Sequence, residues 1–345
     1  MNAIPSSCSP VTLTRSRLSK GSARGPRAAS GGPPEARSFS TMPVTCSRPA
    51  PHPFRRATET HTRAACAPPR RILAQLTGWF ILAMAAVPLG AQPAKADKLK
   101  PGTWGTMQFQ ESVPLGSSEQ LKMRLSFATY PGEFDVSKET YDILVPKGYR
   151  KSEPHGLFIW ISAGDNVSLP KDWEKVLDDK KLIVIGARKS GNQRAVPDRM
   201  RLAIDANHNL RDLFNVDDRR VYVSGFSGGS RVASMLGVAY ADMFTGALCF
   251  MGTNFYTATF DAKKEVYPPR YMPNPEILAM AKQDCRYVLV TGTKDFNLAN
   301  TEAALAGFQQ ENFKAVELLN IPGQGHQPPA AEWLKKGIEF LDGGK

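Results

Sequence analysis

Between residues 157 and 290 the chain returns repeatedly to short runs that are almost purely apolar. They are Leu157-Phe158-Ile159-Trp160-Ile161, Leu182-Ile183-Val184-Ile185, Val221-Tyr222-Val223, Ala247-Leu248-Cys249-Phe250-Met251 and Tyr287-Val288-Leu289-Val290. A strand with one wet face alternates apolar and polar residues. A strand without that alternation has to be covered on both faces. The stretches between the runs have helical length. They lie around Asp172 to Asp178, from Pro197 to about Phe214, from Arg231 to Tyr240, and at about 275–283, 300–312 and 330–341. Strands alternating with helices predict a mostly parallel sheet between two helical layers. Val316 to Leu319 adds a late strand. Leu121 to Thr129 and Tyr141 to Val145 read as early strands, an antiparallel entry to the sheet.

The third run continues into Ser224-Gly225-Phe226-Ser227-Gly228-Gly229-Ser230 and then into the helical stretch from Arg231. Gly225-Phe226-Ser227-Gly228-Gly229 therefore fits G-x-S-x-G between a strand and a helix, the context that gives the motif meaning. Its glycines suit a turn too tight for side chains on its neighbours. The product is a serine hydroxyl raised above the sheet edge, with the Gly228 amide beside it at a helix N-terminus.

A serine hydroxyl is a poor nucleophile until a base takes its proton. In a parallel sheet the base has to come from the C-terminal ends of the strands. Of the five histidines, His52 and His61 lie far upstream. His155 precedes a strand, at the wrong end, and His208 falls within a helix. His326 lies in the loop Pro322-Gly323-Gln324-Gly325-His326-Gln327-Pro328 after the last strand, within reach of Ser227. The imidazole in turn needs an acceptor to fix its tautomer. Asp295 follows the strand 287–290 at the correct end, in Thr291-Gly292-Thr293-Lys294-Asp295; Asp261 is the substitute on the preceding strand.

The charge is divided sharply along the chain. Of the 44 Lys+Arg and 32 Asp+Glu, 13 and 2 lie before Asp97, which leaves 31 basic residues against 30 acidic ones. The basic balance belongs to the leader, so the remainder carries no electrostatic footprint of nucleic-acid binding. Residues 1–70 are rich in Pro, Ser, Ala and Arg without periodicity, and read as a disordered extension or as the product of a start assigned too far upstream. Residues 71–96 read as a signal peptide. Arg70-Arg71 precede an apolar stretch from Ile72 to Leu89, and Ala94-Lys95-Ala96 supplies the cleavage pattern. The alternative is a retained anchor near the lower length limit for spanning. Export to the periplasm or the medium is the expectation, with the membrane involved only in transit. N-terminal sequencing of exported protein should begin at Asp97; a chain still carrying Arg70 would contradict this. Residues 97–345 suit one α/β catalytic domain.

Two cysteines, Cys249 and Cys285, follow the leader, either bridged or as buried free thiols. No His/Cys/Asp/Glu grouping has metal-ligand spacing, and no cofactor is expected. The loop from Thr253 to Pro273 carries Phe255, Tyr256, Phe260, Tyr267 and Tyr271, which either wall a pocket or pin the loop. Arg188 and Asn192, on a second loop, are candidates to meet a substrate carboxylate or hydroxyl, with a solvated loop as the alternative. Trp333 reads as helix core.

From about residue 120 to 342 the chain resembles the α/β-hydrolases, in particular secreted esterases related to polyhydroxybutyrate depolymerases and to feruloyl and acetyl xylan esterases. Gly225-Phe226-Ser227-Gly228-Gly229, Gly292-Thr293-Lys294-Asp295 and Gly325-His326 are similar to that group's three catalytic motifs, in the same chain order. The resemblance implies an acyl-enzyme on Ser227 with His326 as base and Asp295 as its acid. It implies ester substrates, whether small molecules, carbohydrate esters or polyesters, and an oxyanion hole from Gly228 and an amide after the third strand. The group has His-Gly there; this chain has Ser162-Ala163-Gly164-Asp165, so either Ala163 or Gly164 would serve. Phe226, beside the nucleophile, is a candidate substrate contact. Two other readings share the fold: a serine peptidase of prolyl-oligopeptidase type, and an inactive hydrolase fold used for binding.

Overall fold

The computed structural model describes residues 99–127 and 134–343. The leader and its signal-peptide pattern lie outside these residues. Ten strands form in the described part: β1 (Trp104–Met107), β2 (Tyr141–Leu144), β3 (His155–Ile161), β4 (Leu182–Ala187), β5 (Val216–Phe226), β6 (Gly246–Phe250), β7 (Thr259–Phe260), β8 (Val266–Tyr267), β9 (Arg286–Gly292) and β10 (Val316–Ile321). With them are the helices α1 (Ser118–Leu125), α2 (Lys171–Asp179), α3 (Val196–Leu213), α4 (Gly228–Ala239), α5 (Pro275–Asp284), α6 (Leu298–Gln310) and α7 (Ala331–Leu341).

Eight strands make one sheet in the order β1-β2-β4-β3-β5-β6-β9-β10, and β7 pairs with β8 in a separate hairpin. The pairs β1/β2 and β2/β4 are antiparallel, and β4/β3, β3/β5, β5/β6, β6/β9 and β9/β10 are parallel. The apolar runs explain this placement. On β3, Leu157, Ile159 and Ile161 enter one apolar cluster while Phe158 and Trp160 enter the other. The same alternation holds on β9, with Tyr287 and Leu289 on one side and Val288 and Val290 on the other. Helices α3 and α4 contribute to the first cluster, and α2 and α7 to the second. Both faces of the central strands are dry, as their composition requires.

One early element differs from its sequence reading. The stretch from Leu121, read as a strand, is helix α1. Leu121, Arg124 and Leu125 are its buried residues, a helical i, i+3, i+4 set. Ser117 caps it by accepting from Gln120 N at 3.3 Å. The Arg124 guanidinium grips Asp242 through two hydrogen bonds of 2.6 and 2.8 Å. Cys249 and Cys285 are buried free thiols rather than a disulfide. Burial pushes both up to about 12, so neither supplies a thiolate at neutral pH.

Asp205 on α3 is fully buried and sets a pH dependence on the fold. Its Oδ1 accepts from Val113 N at 2.8 Å, and its Oδ2 has no hydrogen-bond partner. Desolvation raises its pKa from 3.8 to about 7, against the opposing pull of the Val113 N–H and Arg201. The folded state therefore holds a proton that the unfolded chain has released. This group's contribution to stability falls as pH rises from about 4 to 7, and its full cost remains above 7. Asp205→Asn keeps an acceptor for Val113 without the charge. It should raise the melting temperature at pH 8 and flatten its pH dependence; a lower melting temperature at pH 8 would mean that the Arg201 attraction outweighs desolvation.

Candidate active site

The site begins with how β5 ends. Ser227 lies between β5 and α4 at φ 53° and ψ −118°, a backbone state that L-residues rarely adopt. The turn is held on both sides: Ser227 N donates to Phe250 O at 2.9 Å, and Arg231 N donates to Ser227 O at 3.1 Å. Gly229 is there because the chain passes against β3. A Cβ on it would stand 1.9 Å from Ile161 O.

His326 Nε2 lies 2.9 Å from Ser227 Oγ, and its Nδ1 lies 2.8 Å from Asp295 Oδ1. Three residues from three loops thus form one hydrogen-bonded line. Gly292 brings two of those loops together. Its Cβ position is filled by Gln324 O, 2.3 Å away, and Lys294 N donates to that same carbonyl at 2.9 Å. The Asp295 carboxylate is fully enclosed. Asn297 N donates to its Oδ1 at 3.0 Å and Thr291 Oγ1 to its Oδ2 at 3.0 Å, so the acid is fixed before the histidine meets it. Asp261, the substitute, is occupied elsewhere. Its Oδ1 accepts from Lys263 N and Glu265 N in the turn between β7 and β8.

Phe226, a candidate substrate contact from the sequence, packs on the imidazole at a centroid distance of 5.0 Å and does not line the cavity described below. Sequence reasoning missed the other groups that brace this line. Phe296, 76% exposed, lies 4.0 Å from the imidazole centroid. Arg231, one turn along α4 from the serine, donates to Asn297 Oδ1 at 2.9 Å. Asn297 in turn donates its side chain to Met251 O at 2.8 Å. The Asp-x-Asn spacing, which lets a carboxylate accept from the amide two residues on, was the available signal for Asn297.

Beside Ser227, β3 delivers the second loop. The Gly164 amide donates to Ser162 Oγ at 3.2 Å, and Ala163 O accepts from Asn192 N at 3.0 Å. The Ala163 amide makes no hydrogen bond among the described residues. Arg199, buried on α3, holds the loop by donating to Ser162 O at 2.8 Å. Burial lowers this guanidinium to about 10.

A cavity of about 760 Å³ lies on the Phe296 and Asn297 side of the site, lined also by Arg231, Asn254, Phe255, Thr257, Tyr267 and Arg270; none of Ser227, His326 and Asp295 is among its lining residues. Phe255 reaches it by one edge and otherwise packs against Phe308 and Tyr256, both at 4.6 Å. Tyr256 is not among the lining residues. Its hydroxyl donates to Glu311 at 2.8 Å, and burial raises its pKa. Phe260 and Val266 stand exposed on the hairpin, and Tyr271 is buried. Arg188 does not meet the cavity either. Asp142 takes its Nε and Nη2 at 2.6–3.0 Å and raises its pKa. Asn192 lies against Gly228. His155 is buried at the opposite end of the sheet and His208 is exposed on α3. Trp333 packs on the second apolar cluster.

Among solved structures, the chain is similar to the feruloyl esterase module of Clostridium thermocellum complexed with sinapinate. The identity is 12%, the match covers 72% of this chain and 93% of that one, and the TM-score is 0.50. The fold is that of the α/β-hydrolases. S-formylglutathione hydrolase (FrmB) from Staphylococcus aureus is similar at 13% identity, over 69% of this chain and 98% of that one, with a TM-score of 0.49. A putative dipeptidyl aminopeptidase IV from Bacteroides ovatus is similar at 14% identity, over 71% of this chain and 36% of that one, with a TM-score of 0.46. No family profile and no curated protein matches the chain.

Proposed function

We propose that this α/β-hydrolase fold is a serine hydrolase of carboxylic esters. The observation that carries the reading is the unbroken line from Ser227 Oγ through His326 to Asp295, at 2.9 and 2.8 Å. Neutral His326, with Nδ1–H held by Asp295, presents the Nε2 lone pair to the serine proton. Ser227 Oγ attacks the carbonyl carbon and the carbonyl oxygen becomes the oxyanion. The Gly228 amide and the Ala163 amide are the donors we assign to it, each worth on the order of 3 kcal/mol. His326 then protonates the departing alcohol, leaving an acyl group on Ser227. Water then attacks the acyl carbon while His326 takes its proton; the bond to Ser227 Oγ breaks, His326 returns the proton to Oγ, and the acid product leaves.

The cavity on the Phe296 and Asn297 side suits the acyl or alcohol part of an ester. Its wall combines the charged Arg231, Asp261, Lys263, Glu265 and Arg270 with Asn254, Thr257, Phe255, Tyr267 and Phe296, and suits a substrate with both apolar and hydrogen-bonding parts, such as a carbohydrate ester or a short polyester segment. The assay that tests the reading compares p-nitrophenyl esters, feruloyl esters and polyesters with matched amide and peptide substrates. Ester turnover well above amide turnover is the expected result. Peptide cleavage exceeding ester cleavage would favour a peptidase, and no turnover of either would leave a binding protein.

A further inference from the structure

The motif G-x-S-x-G asks for glycine at 225 and 229 only, and leaves the residue after the serine free. This chain nevertheless has glycine there, Gly228. The structure accounts for it. A Cβ on Gly228 would lie 2.0 Å from Oδ1, 2.7 Å from Cγ and 3.0 Å from Nδ2 of Asn192. The side-chain space next to the nucleophile is filled by a carboxamide from the loop between β4 and α3.

That carboxamide has a fixed base and an uncommitted end. Asn192 N donates to Ala163 O at 3.0 Å, and Gly191 N donates to Asp165 Oδ1 at 3.2 Å, which ties this loop to the one after β3. The side-chain amide itself has no hydrogen-bond partner among the described residues. Its terminal torsion is soft and roughly two-fold, so either Nδ2 or Oδ1 can face the elbow. The Gly228 nitrogen is one bond, about 1.46 Å, from the Cα that would carry that Cβ. The carboxamide is thus held against the residue whose amide follows Ser227.

We propose that Asn192 is a catalytic residue. Its Nδ2–H donates to the oxyanion formed on the Ser227 adduct, together with the Gly228 and Ala163 amides. Gly228 lacks a side chain to leave room for it. This rests on the serine hydrolase reading above. A donor that acts on the oxyanion lowers the barrier without holding the ground-state ester, so its loss falls on kcat and not on KM.

The test measures kcat and KM on p-nitrophenyl butyrate for the wild type, Asn192→Ala, Gly228→Ala and the double variant, with fluorophosphonate labelling of each. Asn192→Ala should lower kcat by about 100-fold or more, with KM changed by less than about threefold. Asn192 is exposed, so the variant should fold normally. In Gly228→Ala the new methyl displaces the carboxamide but keeps the backbone N–H. It should cost a similar factor, and the double variant should be no worse than either single one. A kcat for Asn192→Ala within about twofold of wild type, a rise in KM alone, or losses that multiply in the double variant would each overturn the proposal. If the wild type is labelled on Ser227 while Asn192→Ala turns over normally, the proposal falls and the hydrolase reading stands. If the wild type is not labelled at all, both fall.

Discussion

Ser227→Ala and His326→Ala should each lower ester turnover by about 10⁵- to 10⁶-fold, and the two together should be little worse than either alone, because the members of such a line act as one unit. Neither change disturbs the packing: the hydroxyl and the imidazole meet each other at 2.9 Å, and the imidazole ring lies between Phe226 and Phe296 at the surface of the site. Melting temperatures should therefore stay close to wild type while kcat collapses. Asp295→Asn should lose less, about 10⁴-fold. The asparagine can still accept from Thr291 Oγ1 or Asn297 N, but it cannot hold the Nδ1–H tautomer and balance the imidazolium as the carboxylate does. If Asp295→Asn kept full activity, the acid would have to come from elsewhere, although Asp261 is already engaged in its own turn.

Gly229→Ala should damage the fold itself. A methyl there would stand 1.9 Å from Ile161 O and 2.7 Å from Ile161 C. These are backbone atoms of the sheet's central strand, so no side chain can swing aside. Overpacking of a core costs about 1–3 kcal/mol where side chains can adjust, and here the upper end or more is expected. For a domain of this size 3 kcal/mol corresponds to a fall of about 6–12 °C in melting temperature. The displaced elbow should lose activity as well, since Ser227 Oγ would leave His326. Gly228→Ala is the control, because the group it meets is the end of an exposed side chain. It should melt near wild type whatever its turnover. Equal destabilisation by the two alanines would contradict the elbow geometry.

The sheet was readable from sequence because its strands are dry on both faces. Runs such as Leu157 to Ile161 have no polar position to hide, and their order along the chain carries the parallel topology. The three candidate residues were readable for a related reason. Each follows a strand, so each lands at the C-terminal ends of the sheet, and the structure brings Ser227, His326 and Asp295 into one line. What stayed hidden depends on partners distant in sequence. Helix α1 looks like a strand because Leu121, Met123 and Leu125 alternate. Its burial pattern makes sense only once Arg124 pairs with Asp242, 118 residues away. The Ser117-x-x-Gln120 cap was the local signal for a helix there. Arg188 and Asn192 looked alike as polar residues on one loop, and only the fold commits the first to Asp142 and leaves the second against Gly228. Whether Tyr256 walled a pocket or pinned its loop stayed open because the Glu311 that takes its hydroxyl comes from the far end of α6.

The most direct test of the account is covalent. A fluorophosphonate probe reacts with a serine only when a base has activated it. Mass spectrometry of the labelled protein should find one adduct, on the peptide carrying Ser227. It should be absent from Ser227→Ala and strongly reduced in His326→Ala. Labelling that persists in Ser227→Ala, or a folded wild-type protein that takes no label, would contradict the central claim that Ser227 is an activated nucleophile.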